Sequence, residues 1–296
     1  MAGSQDYDED PRNETVLVYV NGELVPRSKA VVSVFDAGFS MGDGIWESFR
    51  LHDGRLPFAD LHLDRLFSGA NSIKLDIGMT REQILVALRE TIAANEMDDG
   101  AHIRLMVTRG TKRTPAQDPR LTLGPATVVI VAEWKQPRLG NGLRLFTSSV
   151  RCTRPDMFDM RINSHSRLHL ITALLEAIDA GADEALMLDA DGYVSSCNST
   201  NFFFVRGETV CTSTGEACFN GITRGLVIDL CRQNELPLEI GNFALSDVHA
   251  CSEAFVTGTF GGVTPVSEID GRPLPSVPGP VTAGLRELYE RRVLGE

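Results

Sequence analysis

The stretch "RINSHSRLHLITALLEA" sets His165 and His169 four residues apart. That spacing puts two imidazoles on one face of a helix if the helix starts early enough. Such a pair can hold a metal ion or pass a proton. No H-E-x-x-H pattern or neighbouring carboxylate accompanies it, so hydrogen bonding is the favoured use and no metal site is predicted. Other stretches carry the residue types that hold an anion. "GITR", Gly221 to Arg224, reads as a glycine entering a helix, where the first N–H groups lack partners and the dipole is positive. "TGTFGG", Thr257 to Gly262, follows a strand and offers hydroxyls and open backbone N–H groups. Arg65 in "HLDRL" offers a forked guanidinium. Taken singly, each also reads as a capped helix, a loop or a surface arginine. "GDGIWE", Gly42 to Glu47, lacks the third glycine of a dinucleotide fingerprint, and no G-x-S-x-G elbow occurs.

These residues need elements to position them. "VLVYVNGELVP" from Val16 alternates around an Asn21-Gly22 turn, which predicts a hairpin. "FDAGFSMGDGIWESFRLHDGRLPF" predicts a second strand pair about Asp53-Gly54. "DLHLDRLFSGANSI" and "TREQILVALRETIAANE" read as helices, the latter opening on a Thr80–Gln83 capping box. "HIRLMVTRG" and "ATVVIVAEW" read as strands. Residues 135 to 142, "KQPRLGNG", have no apolar period and are read as a linker between a domain at 15–134 and one at 143–296. Beyond it come strand "LRLFTSSV", a helix from Arg167 to Ala180 stopped by Gly181, strand "EALMLD", strand "NFFFV" and a helix from "GITR". Strand "PLEI", a short helix near Leu245, strand "EAFVTGT" and a last helix near Val281 to Val293 complete the chain. Strands and helices mix throughout and many strand pairs have short turns, which predicts an α+β fold with antiparallel or mixed sheets.

The totals narrow the partners. The chain has 296 residues and a formal net charge of −12, with four lysines, so a nucleic acid is not expected. Two Trp and four Tyr supply no stacking platform for bases. The six cysteines contain no C-x-x-C pair, and no apolar run approaches a membrane span. The opening "MAGSQDYDEDPRNET" is acidic with no apolar core, so residues 1–14 are expected to be a disordered tail and not a signal peptide. A cytoplasmic protein with reduced thiols is the expectation.

From about Val16 to Val293 the chain resembles the class IV aminotransferases, the fold-type IV pyridoxal-phosphate enzymes that include branched-chain and D-amino-acid aminotransferases. The matching stretches are "VNGELVP", "FDAGFSMGDGIWESFRL", "HLDRL", "VTRG", "EAIDAGADEALMLDADGYV", "NFFFV", "GITR" and "TGTFGGVTPVSEIDGRPL", in the family's order and spacing. The resemblance implies a two-domain α+β fold with the cofactor site between the domains, a homodimer, and amino-group transfer between an amino acid or amine and a 2-oxo acid. It implies that Arg65, the N–H groups of Ile222 and Thr223, and Thr259 hold the phosphate of pyridoxal or pyridoxamine 5'-phosphate, and that Ser196, Thr257 and Gly258 also bind that cofactor. Arg104 and Arg109 lie where some relatives recognise a substrate carboxylate.

Two positions depart from that family's pattern. Counting back from Glu176 in "LLEA", the Schiff-base lysine falls on Asn163, and no lysine follows Lys135. Counting from Gly192 and back from Asn201, the glutamate that pairs with the pyridine nitrogen is Ser196. An amide is neither nucleophile nor base, and a hydroxyl carries no charge to keep a ring nitrogen protonated. Arg167, His165 and His169 are the polar groups nearby that could move a proton instead. Three readings stay open. One is amino-group transfer weakened or rerouted. Another is a lysine-independent enzyme that binds pyridoxamine phosphate or another phosphorylated ligand non-covalently. The third is a catalytically inactive binding homologue.

Overall fold

The structure is a computed structural model that describes residues 3–138 and 140–296. The chain divides into two compact units. The first comprises Asp8–Gln136 together with Ile162–Arg167. The second comprises Pro137–Arg161 and Leu168–Glu296, with the described residues that precede Asp8.

In the first unit β1 (Leu17–Val20) and β2 (Glu23–Pro26) form the hairpin about Asn21-Gly22, both with positive φ. A short helix α1 (Ala37–Met41) is capped by Asp36, whose carboxylate accepts from the Gly38 N–H at 2.7 Å. Then come β3 (Gly44–Arg50), α2 (Ala59–Ser72), α3 (Arg81–Ala94), β4 (Ala101–Thr108) and β5 (Thr127–Trp134). The sheet is antiparallel throughout, in the order β2-β1-β5-β4-β3. The Thr80–Gln83 capping box opens α3 as its sequence requires. Ile84, Leu88 and Ile92 of that helix join Leu63 and Leu66 of α2 in one apolar core with Phe49, Ile103 and Ile130.

A buried ion cluster fastens α2 to β3. Ile45, Glu47 and Phe49 alternate onto the inward side of β3, and Glu47 is 0% exposed. Its carboxylate accepts from Arg65 Nε and Nη2, both at 2.7 Å, and meets His62 Nδ1 at 2.8 Å. Burial pushes the Glu47 carboxyl up, but the hydrogen bonds and charges of Arg65 and His62 outweigh it and hold it below its usual value.

In the second unit β6 (Leu143–Thr147), α4 (Leu168–Asp179), β7 (Glu184–Leu188), β8 (Val194–Cys197), β9 (Asn201–Arg206), β10 (Thr209–Ser213), α5 (Ile222–Gln233), β11 (Leu238–Gly241), α6 (Leu245–His249), β12 (Glu253–Gly258), β13 (Gly262–Ile269), β14 (Arg272–Pro273) and α7 (Pro280–Leu294) follow in order. The sheet order is β11-β10-β9-β12-β13-β6-β7-β8, with β14 paired to β13. It is mixed: β10–β11, β6–β13 and β6–β7 are parallel, the other pairs antiparallel. Phe203 and Phe255, partners across β9 and β12, stack 4.9 Å apart. Glu253 at the start of β12 caps α7 by accepting from the N–H groups of Val281 and Thr282.

Several sequence expectations change here. Residues 11–14 are not a disordered tail: Pro11–Thr15 form a 3-10 helix, and Asn13 exchanges two hydrogen bonds with the Trp134 backbone at 2.8 and 2.9 Å. Met1, Ala2 and Leu139, which fall in the expected tail and linker, lie outside the described residues. No strand pair forms about Asp53-Gly54; that turn closes only an isolated His52–Arg55 bridge, and β3 pairs with β4 instead. β10 and β13 escaped the sequence reading because polar Thr and Ser dilute the first and Pro265 interrupts the second. The Arg167–Ala180 helix begins one residue later, at Leu168.

Glu47→Gln is expected to destabilise the protein by about 3–5 kcal/mol, because Arg65 is left buried against a neutral amide. The depressed Glu47 carboxyl contributes stability above its ordinary value of 4.5, and that contribution is lost as pH falls toward the folded value. Urea midpoints measured from pH 7 to pH 3 should therefore fall less steeply in Glu47→Gln than in the parent protein. Equal slopes would remove Glu47 as the group responsible.

Candidate functional site

Two clusters of polar side chains hold the residues singled out by the sequence, one in each unit. The first lies along the edge of the first unit's sheet. β3 is an edge strand, and Asn163–His165 run antiparallel beside it. Trp46 N–H donates to Asn163 O at 2.9 Å, and His165 N–H donates to Gly44 O at 2.9 Å. These bonds satisfy an edge that would otherwise be open. The approach requires Gly44, because a Cβ there would stand 2.8 Å from the His165 ring. This pairing explains why residues 162–167 belong to the first unit although the sequence places them far beyond it.

Asn163 is buried and both ends of its amide are committed. Nδ2 donates to Trp46 O at 2.6 Å, and Oδ1 accepts from Arg167 Nη2. Arg167 Nε donates to Ser164 O at 2.8 Å, and Trp46 Nε1 donates to the same carbonyl at 3.2 Å. Position 163, where counting along the sequence expects the family's lysine, thus holds a neutral amide that clamps a guanidinium. Burial, and then the charges of Arg65 and Arg104, push Arg167 down to about 10, which leaves it protonated at neutral pH. It cannot accept a proton there.

His165 can. Its Nε2 faces Ile45 O at 3.1 Å, so that nitrogen must carry the hydrogen and Nδ1 keeps its lone pair. Burial lowers its pKa, the Ile45 bond partly opposes this, and Arg104 and Arg167 lower it further, so the ring is neutral at pH 7. His169 lies in the first turn of α4, in the second unit, so the two histidines are not brought together as a helical pair.

The arginines differ sharply. Arg109 gives Nε and Nη2 to Asp43, Nη2 also to the Ile73 carbonyl and Nη1 to the Lys74 carbonyl, all structural contacts. Arg65 gives two donors to Glu47. Arg104 stacks its guanidinium 3.8 Å over the Trp46 ring, and no hydrogen bond or ion pair joins it to another described residue. Burial lowers its pKa while Glu47 and Glu133 oppose that shift. Arg65 thus pairs with the buried carboxylate, whose charge also reaches Arg104, and Arg104 retains a fork of donors for a ligand carboxylate.

The second cluster is assembled by Asn201. Across β9 and β12 it stands opposite Thr257. Its Oδ1 accepts from Gly221 N–H at 3.0 Å, and its Nδ2 donates to Phe219 O at 2.6 Å and to Ser196 Oγ at 3.2 Å. One side chain thus draws Ser196, Thr257 and the start of α5 together. No side chain caps α5, whose first turn includes Ile222 and Thr223. Thr257 Oγ1 is buried without a hydrogen-bond partner. An uncapped helix start beside an orphaned hydroxyl fits a phosphate group. Gly258 ends β12 and Thr259 begins the turn after it; both are half-buried. Ser196 Oγ donates to Thr200 O at 2.8 Å and accepts from Asn201, so its proton and one lone pair are already committed.

The fit to a pyridoxal-type phosphate is therefore partial. The residues present suit its phosphate ester, and nothing at position 163 can form an imine with it. Sequence reasoning missed Trp46, Glu47, Asn201 and Arg224. Glu47 was the findable one, since a carboxylate on the apolar side of an alternating strand demands a buried partner. Asn201 sat in view at the end of "NSTN", but its bonds to residues 196, 219 and 221 have no local signature.

The family model for amino-transferase class IV matches residues 44–269. A branched-chain-amino-acid aminotransferase-like protein 2 from Arabidopsis thaliana is 38% identical over 95% of this chain, which covers 51% of that relative, so the chain spans about half of its length. A putative branched-chain-amino-acid aminotransferase from Methanocaldococcus jannaschii is 36% identical, covering 92% of this chain and 95% of the relative. Among solved structures, a T.th. branched-chain amino acid aminotransferase with pyridoxamine 5'-phosphate has a TM-score of 0.88 at 29% identity, with 95% of each chain covered. The branched-chain aminotransferase of Thermoproteus uzoniensis with norvaline has a TM-score of 0.85 at 30% identity, again over 95% of each chain. The chain belongs to the class IV aminotransferases and has their fold-type IV α+β architecture.

Proposed function

We propose that this protein is a branched-chain aminotransferase-like member of its family that binds pyridoxamine or pyridoxal 5'-phosphate non-covalently and does not transfer amino groups through a lysine imine. One observation carries the reading: Asn163 is clamped between Trp46 O and Arg167, while among the described residues no side chain caps α5 and Thr257 Oγ1 has no hydrogen-bond partner. The phosphate would be held by the N–H groups of Ile222 and Thr223 and by Thr257, with Gly258 and Thr259 beside it. When bound, the ring would supply an electron sink for carbanion chemistry. The chain's own contributions are separate. Arg104 on Trp46 would orient a carboxylate of an amino acid or 2-oxo acid. His165 Nδ1 is the neutral base available to hold a proton. Arg167 stays charged and fixes Asn163.

A homodimer completes the reading. Leu168, Ile171, Leu175 and Ile178 lie three or four residues apart on α4 and are 75, 53, 55 and 49% exposed. A single face of that size on a helix of this unit is suited to a second copy. No helix among the described residues is long and apolar enough to cross a membrane.

Three measurements test this. The purified protein with pyridoxal phosphate should lose its absorbance on dialysis, and borohydride should fix no adduct; a reduced cofactor peptide would overturn the non-covalent reading. The pair Asn163→Lys with Ser196→Glu should form a borohydride-fixable adduct and regain measurable transamination. An adduct that stays inert toward every amino donor would mean that more than these two positions separates the chain from lysine chemistry. Sedimentation should show a dimer that Leu175→Glu dissociates, and a monomeric parent protein would refute the assembly.

A further inference from the structure

Arg224 is a cation in an electrostatically adverse place. It is the third residue of α5, in the turn where the helix dipole favours acidic side chains, and that turn contains none. Its side chain runs back toward the helix start. Nη2 donates to Ser213 O at 2.6 Å and Nη1 to Asn220 Oδ1 at 3.3 Å, while Nε is buried with no acceptor. The residue is 7% exposed, and no carboxylate lies within ion-pairing distance of it among the described residues. The turn before α5 closes over it: Gly215 has φ +87, and a Cβ there would stand 3.3 Å from Arg224 Nη1. Burial lowers its pKa, as expected for a guanidinium whose partners are all neutral.

Burying an uncompensated cation at the positive end of a helix is unfavourable twice over. One anion at the first turn relieves both terms, and the Thr257 hydroxyl of β12, across from the Asn201 that holds Gly221, has no hydrogen-bond partner among the described residues. We propose that Arg224 is a positioning residue for a phosphate dianion. Its buried charge sets the affinity of the α5 start, and its bonds hold Ser213 and Asn220 against that turn. The inference rests on the phosphate reading of the preceding subsection.

The test compares pyridoxamine 5'-phosphate with pyridoxamine by calorimetry, in the full-length parent protein, Arg224→Gln and Arg224→Lys. The parent should bind the phosphate ester at least about tenfold more tightly than pyridoxamine, the scale of one charge-assisted contact. If it shows no such preference, the phosphate reading fails, and this inference with it. If it does, Arg224→Gln should lose about tenfold in affinity for the ester and leave pyridoxamine within about twofold. The rise in ester affinity as pH passes the second phosphate pKa of about 6 should flatten in the same variant. Arg224→Lys, which keeps the charge, should retain most of the preference. Equal loss for both ligands in Arg224→Gln would mean a merely structural arginine and overturn the proposal. Loss of the preference in Arg224→Lys would also overturn it, and this second variant decides the matter if Arg224→Gln does not fold.

Discussion

A carboxylate sealed inside an apolar sheet-and-helix core has to be answered by charge, and Glu47 sets that requirement for the first unit. Its two oxygens fix Arg65 and His62, which locks α2 to β3. With that carboxylate so occupied, Arg104 rests its guanidinium on the Trp46 ring. The strand that carries Glu47 also carries Trp46, whose ring supports Arg104 and whose backbone receives Asn163. The structural ion pair of Glu47 and the anchor of Asn163 thus meet on adjacent residues of β3.

The two positions at which the sequence is expected to depart from the family pattern, Asn163 and Ser196, are both engaged in the structure. The Asn163 amide is fully engaged, and the cation it holds, Arg167, sits four residues along the same segment. Ser196 is likewise engaged, through Thr200 O and Asn201. Both side chains are held by neutral hydrogen bonds.

Much of the fold was legible because it rests on local rules. The Asn21-Gly22 hairpin, the Thr80–Gln83 capping box and the glycine entry to α5 are written in consecutive residues, and each forms as its chemistry requires. What escaped was non-local. β13 was hidden by Pro265. The ordered 3-10 helix at Pro11–Thr15 depends on Asn13 meeting Trp134, 121 residues away. The roles of Arg104 and Arg109, alike in sequence, were separated only by Asp43 reaching one and not the other. Residue types named the candidates, and their hydrogen-bond partners decided which remain available to a ligand.

The short segment that covers the edge of β3 has an evolutionary corollary. Because Ile162–Arg167 completes a sheet whose strands all lie before Gln136, the two units are not separable cassettes in the chain. A recombination joint drawn at the apparent linker would hand the first unit's edge to whatever sequence followed. Exchange of halves between relatives is therefore constrained to partners whose residues at 162–167 still pair with Gly44 and Trp46. Drift at position 163 is consequently judged by the strand it lies against as well as by any cofactor.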